Sequence, residues 1–191
     1  MLSVAEWVKT MQAKENCPVM FFKQQHQHHE LYDVKDFALF LMSSAQAEIL
    51  RKLGQEKLCI DSTHGTNSYD FQLTTLVTVD ECGAGFPCAY AITNKVNTKV
   101  MAHFFTCIKD KLGAIPLTTF MSDDASEYFN AWESVMGPVK HKLLCSWHVD
   151  RNWRKNINEC IKGQIIRADT YLACKVIMDC QDTEEFYELS L

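Results

Sequence analysis

Residues 58–92 have the sequence LCIDSTHGTNSYDFQLTTLVTVDECGAGFPCAYAI, in which three β-strand patterns are separated by polar turns. The predicted strands are Leu58–Asp61, Phe71–Val79 and Phe86–Ile92. Short links between consecutive strands favour an antiparallel meander. Gly83 and Gly85 join strand to strand, which is the setting of a hairpin turn and not of a nucleotide-binding loop.

A helical period of 3.6 residues replaces the strand pattern after this meander. It predicts a helix that ends at Gly113 and has an apolar face of Val100, Met101, Phe104, Phe105, Ile108 and Leu112. The pattern then predicts a strand at Leu117–Met121, a second helix with Ala125, Tyr128, Phe129, Trp132 and Met136 inward, a strand at Lys142–Cys145, and a third helix from about Trp147 to Lys162 with Gly163 as its C′ residue. The order β-β-β-α-β-α-β-α predicts an α/β fold with a mixed five-stranded sheet, flanking helices and right-handed crossovers.

Two capping boxes, each a serine followed three residues later by Glu or Gln, mark helix starts before the meander. The predicted elements there are a helix within residues 1–14 capped by Ser3 and Glu6, an extended or loop segment at 15–35, a buried strand at 36–42, and a helix capped by Ser43 and Gln46 that runs through Leu53. The loop segment contains His26, His28 and His29, which suggest a metal site. A solvated loop is favoured, because no acidic or cysteine partner stands at a fixed spacing.

Composition indicates a soluble intracellular protein of one domain, or one domain with attachments. The chain has 191 residues, a formal net charge of −5, 47% apolar residues and 23% charged residues, which are ordinary values for globular chains. The longest apolar run, Phe37–Met42, is far below the roughly 18 residues of a membrane span, and no secretory signal is present. The nine cysteines are odd in number and scattered, which favours reduced thiols in the nucleus or cytoplasm.

Two aspartates stand at predicted strand ends, where polar function collects in sheets with parallel crossovers. Asp61 follows the first strand of the meander, and Asp123 follows the fourth strand of the order. If these strands are neighbours, about 4.8 Å apart, the two carboxylates face each other and can share Mg²⁺ or Mn²⁺. The alternative is a turn-forming aspartate at each strand end.

The adjacent Asp124 receives a different prediction. Glu127 follows it by three residues at the head of an apolar helical pattern, which is the spacing of an N-cap. We therefore expect Asp124 to cap the second helix and Asp123 to remain at the strand tip.

Two further groups have weaker metal patterns. Cys145 and His148 form a C-x-x-H motif that could supply half of a zinc site. The remaining cysteines nearby, Cys160, Cys174 and Cys180, lack a matching spacing, so a buried Cys145 and a locally bonded His148 are the alternative. His64, three residues after Asp61, could reach a phosphate or a metal, or could simply bond the backbone of its turn.

The third predicted helix has a basic stripe. Its members are Arg151, Arg154, Lys155 and Lys162, with His148 at the edge, opposite Val149, Trp153 and Cys160. Such a stripe could contact a nucleic-acid backbone, although a solvated charged face is the alternative and the acidic net charge counts mildly against it.

Three of these segments, in this order, resemble the catalytic core of Mutator-like element (MULE) transposases, especially their domesticated relatives in SWIM-type zinc-finger proteins. The segments are IDSTHGTNSYDFQLTTLVTVDECGAGFPCAYAI, FFTCIKDKLGAIPLTTFMSDDASEYFNAW and KLLCSWHVDRNWRKNI, and the resemblance covers about Phe37 to Lys162. It implies an RNase H-like fold, a DDE triad that binds two divalent metals, a nuclear location and DNA as partner, with a homodimer as in transposase assemblies. Asp61 matches the first acid, Asp123 the second, and Cys145 with His148 the C-x-x-H motif.

The third acid of the family is a glutamate on a later helix. Glu184, Glu185 and Glu188 are available, but none stands in a recognisable motif and none is assigned. The resemblance divides the chain into an N-terminal helix and extended segment (1–35), an RNase H-like core (36–163) and a helical segment (164–191) expected to begin a truncated insertion. Two functions follow: metal-dependent DNA strand cleavage and transfer, or a domesticated, inactive module that binds DNA or protein.

Overall fold

A computed structural model describes residues 3–189 and contains a mixed sheet with flanking helices. The strands are β1 Val19–Lys23, β2 Ala38–Leu41, β3 Lys57–Thr63, β4 Gln72–Val79, β5 Gly85–Thr93, β6 Thr119–Ser122 and β7 His141–Leu144. The helices are α1 Val4–Gln12, α2 Ser44–Leu53, α3 Thr98–Leu112, α4 Ser126–Met136, α5 Ser146–Cys160, α6 Gln164–Asp179 and α7 Thr183–Leu189. The chain divides into two compact units, one ending at Leu143 and the other starting at Leu144. The domain boundaries drawn from the sequence stay predictions.

The sheet has seven strands in the order β1-β2-β5-β4-β3-β6-β7. The predicted meander is confirmed, since β3 pairs antiparallel with β4 and β4 with β5. The prediction of five strands is wrong because β1 and β2 extend the sheet beyond β5. β1 lies inside the segment predicted to be extended or loop, and it is ordered by pairing with β2 rather than by a local pattern.

The crossover from the meander to the later strands has the predicted direction. β3 pairs parallel with β6, with Lys57 opposite Thr119 and Cys59 opposite Met121.

The main apolar core of the first unit lies between one face of the sheet and helices α2, α3 and α4. A smaller cluster packs Val8 of α1 against Phe37 and Leu39, which point to the opposite face. β3 runs two residues past Asp61, so Asp61 lies inside its strand and not at the predicted strand end, whereas Asp123 directly follows β6. Both strands pack on the main apolar core through their other face.

The helix starts show which capping predictions hold. At α2 the capping box is complete, because the Ser43 hydroxyl accepts from the Gln46 N–H and the Gln46 side chain accepts from the Ser43 N–H. The Asp124 prediction is wrong: α4 begins at Ser126, its N-cap is Ala125, and this cap has no side-chain hydrogen bond. The N-cap is thus one residue later than the Asp124–Glu127 spacing suggests.

The second unit consists of α5, α6 and α7, so the prediction of a helical segment after residue 163 is confirmed over the described residues. The third predicted helix is shorter than expected, because α5 ends at Cys160. Gly163 is the N-cap of α6 and not the C′ residue of α5.

Neither a disulfide nor a membrane-spanning helix is found in residues 3–189. All nine cysteines are free thiols. In residues 3–189, no helix has both the length and the apolar character that crossing a bilayer requires.

Candidate functional site

The two acids belong to neighbouring parallel strands: Asp61 lies inside β3, two residues before its end, and Asp123 directly follows β6. The parallel pairing ends with Cys59 opposite Met121, and each acid comes two residues after one of these two residues. Because side chains alternate along a strand, Asp61 points to the same face of the sheet as Cys59. Asp61 is exposed and Asp123 is half-buried, so solvent can reach both residues.

Backbone N–H groups orient both carboxylates. The Ser62 N–H donates to Asp61 Oδ1 at 2.8 Å, and the Ala125 N–H donates to Asp123 Oδ1 at 3.1 Å. Asp123 therefore bonds the turn that leads into α4, which is the region where Asp124 was expected to act. Asp124 itself is exposed.

A chain of hydroxyl groups lies behind the acids, on the α4 side of the sheet. Tyr128 Oη donates to Ser62 Oγ at 2.6 Å, and Ser62 Oγ is 2.5 Å from Thr74 Oγ1. Burial, together with the negative charges of Asp123 and Asp61, raises the pKa of Tyr128 to about 12, against the lowering effect of its bond to Ser62. Both carboxylates thus act on one hydroxyl, which stays protonated and available as a donor.

Sequence reasoning placed Tyr128 only on the apolar face of the second helix. That placement is correct for its ring, since the side chain is 3% exposed. The pattern missed its hydroxyl, because the partner Ser62 lies 66 positions away in the sequence. The sequence offers one signal for this bond, which is a tyrosine at a predicted core position. A buried phenol normally has a hydrogen-bond partner.

The donor set of Asp61 and Asp123 suits a hard divalent cation such as Mg²⁺ or Mn²⁺. Over the described part of the chain, no group of three or more His, Cys, Asp or Glu side chains could hold a metal ion. Two carboxylates are only part of a six-oxygen shell, and water would complete it. The acids therefore fit a weakly held cation rather than a closed protein cage.

The C-x-x-H pair lies at the start of α5. Cys145 is the N-cap residue, and the half-buried His148 has its ring 4.8 Å from that of Trp147. Within residues 3–189 the pair does not belong to any three-ligand cluster, so the structure does not extend it to a zinc site.

The histidines at the turns have separate environments. His64 is exposed in the turn after β3. His26 and His28 are exposed in the loop after β1, as expected for a solvated loop, whereas the His29 ring packs against Phe21 at 5.3 Å.

The basic stripe on α5 is smaller than predicted. Lys162 lies beyond the end of the helix at Cys160, so the helical projection that placed it on the stripe does not apply. Arg154 pairs with Asp150 at 2.7 Å, and its guanidinium lies 4.3 Å from the ring centre of Tyr171 in α6. Bonds from Tyr171 and Arg154 lower the pKa of Asp150, which marks the Arg154 charge as engaged within the second unit.

The remaining basic members, Arg151 and Lys155, are exposed one helical turn apart. The Arg151 guanidinium lies 5.3 Å from the ring centre of Trp147, whose residue surface is 59% exposed. α5 thus presents an indole and two cations to solvent, and we call Trp147, Arg151 and Lys155 the α5 basic face.

The chain is similar to a known protein family. The sequence model of a family described as the MULE transposase domain matches residues 57–152. The matched region begins with β3 and ends within α5, so it contains both acids, Asp61 and Asp123, and the C-x-x-H pair. No curated protein matches the chain.

Proposed function

The chain belongs to the MULE transposase domain family, and from this we propose that its core is a DDE-type domain that cleaves and transfers DNA strands with a divalent cation. Family membership implies an RNase H-like fold, which agrees with an antiparallel meander followed by the parallel pair β3–β6. DNA is the partner that the family implies.

The observation that supports this proposal is the parallel pairing of β3 with β6, whose last paired residues, Cys59 and Met121, each lie two residues before one of the acids. These two carboxylates would hold the cation, each oriented by a backbone N–H donor. A divalent cation supplies an activated water or 3′-hydroxyl nucleophile and stabilises charge on the leaving oxygen. The proposal assigns no third acid; Glu184, Glu185 and Glu188 lie on α7 of the second unit.

Nicking of supercoiled plasmid tests the proposal. We expect the wild-type chain to nick DNA when Mn²⁺ or Mg²⁺ is present and to leave it intact in chelator. Asp61→Asn should lose this activity, because the amide removes the charge that attracts the cation but keeps the size of the side chain. Asp70→Asn, an exposed aspartate in the following turn, is the control and should nick normally. Equal activity of wild type and Asp61→Asn would contradict the proposal.

A second candidate is a catalytically inactive module that binds DNA. The α5 basic face supports it, because exposed cations beside an exposed indole suit a phosphate backbone and a base. A chain that binds DNA and leaves plasmid intact with either cation would favour this candidate.

The α5 basic face gives a direct prediction for DNA binding. Arg151→Glu with Lys155→Glu should weaken duplex binding, and the slope of log affinity against log salt should flatten by about two, roughly one unit per lost phosphate contact. Fluorescence anisotropy at several salt concentrations measures both quantities.

The matched control is Arg51→Glu with Lys52→Glu on α2, which makes the same change in net charge at exposed positions in the other unit. If both double variants weaken binding equally, net charge rather than α5 controls the affinity. If neither does, the α5 basic face is a solvated surface.

A further inference from the structure

We propose that Tyr128 is a positioning residue for the cation site, and that its hydroxyl acts through Ser62 to hold Asp61 in register with Asp123. This inference rests on the proposed function, since it concerns the same pair of acids. It adds a residue that contacts neither the cation nor the DNA.

The geometry links Tyr128 to both acids. The tyrosine lies in the first turn of α4, five residues after Asp123, and its hydroxyl reaches across to β3, where it bonds Ser62 Oγ. Ser62 in turn donates its backbone N–H to Asp61 Oδ1. One side chain thus connects the segment after Asp123 to the residue that orients Asp61.

The Ser62 hydroxyl has two partners, and either hydroxyl of the Ser62–Thr74 pair can be the donor. Tyr128 donates to Ser62, so the single Ser62 hydroxyl proton is available for Thr74 Oγ1 on β4. Ser62 is therefore fixed from two sides, by α4 and by β4. Since Ser62 and Asp61 point to opposite faces of the strand, the effect reaches the carboxylate through the Ser62 backbone.

A site with only two carboxylates is sensitive to such positioning. Loss of hydrogen-bonding partners behind metal ligands typically lowers metal affinity about 10- to 100-fold. Among the described residues, no third His, Cys, Asp or Glu side chain joins the two acids to hold the ion if Asp61 moves. We therefore expect the hydroxyl of Tyr128 to change cation affinity more than it changes stability.

Calorimetric titration of Mn²⁺ into the full chain tests this inference. Tyr128→Phe keeps the ring and removes only the hydroxyl, and we expect it to raise the dissociation constant for Mn²⁺ about tenfold. Tyr32→Phe is the matched control: Tyr32 is also buried, its hydroxyl bonds His103 Nδ1 at 2.8 Å, and it lies between β1 and β2. The control should bind Mn²⁺ as the wild type does, while both variants lose similar stability in thermal melts.

Ser62→Ala separates positioning from folding. It removes the acceptor of the Tyr128 hydroxyl but keeps the backbone N–H that orients Asp61, so it should weaken Mn²⁺ binding as Tyr128→Phe does. The double variant should be no weaker than either single variant, because both changes break one chain. If Tyr128→Phe does not fold, Ser62→Ala carries the test alone.

The outcomes distinguish this inference from the proposed function. Mn²⁺ binding that Asp61→Asn loses and that both Tyr128→Phe and Ser62→Ala retain would overturn the role of Tyr128 alone. Absence of Mn²⁺ binding by the wild type would overturn the cation site and this inference with it. Equal weakening by Tyr128→Phe and Tyr32→Phe would show a general loss of stability and would also overturn the inference.

Discussion

Asp123→Asn should abolish the rise in melting temperature that Mn²⁺ gives the wild-type chain. With free Mn²⁺ at about ten times the dissociation constant, binding stabilises the folded state by about 1.4 kcal/mol. In a chain of this size that stabilisation raises the melting temperature by about 3–6 °C. The amide of the variant keeps an oxygen that can accept from the Ala125 N–H, but it lacks the charge that binds the cation. Circular dichroism melts with and without Mn²⁺ measure the difference.

The neighbouring acid supplies the control for this experiment. Asp124 is exposed and does not cap α4, so Asp124→Asn should change stability by less than about 0.5 kcal/mol and keep the full response to Mn²⁺. If Asp124→Asn loses the response to Mn²⁺ and Asp123→Asn keeps it, the second acid of the cation site is Asp124 and not Asp123. That result would also contradict the proposed pairing of Asp123 with Asp61.

The strands of the meander could be predicted from sequence because their evidence is local. β4 and β5 carry apolar and β-branched runs between polar turns, and such runs depend little on the rest of the chain. β1 could not be found in this way, since Val19–Lys23 is a short run that becomes a strand only through pairing with β2. To predict β1, one needs the order of strands in the sheet, and a local sequence pattern does not give that order.

The sequence indicated the two acids more reliably than it indicated the helix cap and the hydrogen bonds around them. The assumption that the strands of Asp61 and Asp123 are neighbours is confirmed by the parallel pairing of β3 with β6, and the proximity of the two carboxylates stays a prediction. The Asp124 cap was wrong because the helix starts at Ser126, and capping patterns tolerate shifts of a residue or two. The Ser62–Tyr128 bond joins two elements far apart in sequence, so only the folded structure reveals it.

The framework under β6 explains why the second acid should be sensitive to core packing. Trp132 of α4 is fully buried, and its ring centre lies 5.1 Å from that of Phe105 in α3 and 5.4 Å from that of Phe120 in β6. Phe120 is three residues before Asp123. The indole therefore joins both helices to the strand that carries the acid.

Trp132→Ala should destabilise the first unit by about 3–5 kcal/mol, because it removes the largest fully buried side chain and leaves a cavity beneath β6. This loss is a large part of the total stability of a domain, which is about 5–15 kcal/mol. In a chain of this size it should lower the melting temperature by about 6–20 °C. Trp147→Ala on α5 is the control; its indole is largely exposed, and its loss should cost less than about 1 kcal/mol. Chemical denaturation followed by circular dichroism measures both variants.

Trp132→Phe shows which property of the indole matters. The buried Trp132 Nε1–H has no hydrogen-bond partner among the described residues, so the indole contributes through packing while its donor group opposes burial. Phenylalanine keeps aromatic contact with Phe105 and Phe120 and removes the unpaired donor. Its cost should therefore fall well below that of alanine, and the Mn²⁺ response at Asp123 should survive. Equal costs for the two substitutions would show that Nε1–H stabilises the fold through a partner such as bound water, and would contradict a stabilisation that comes from packing alone.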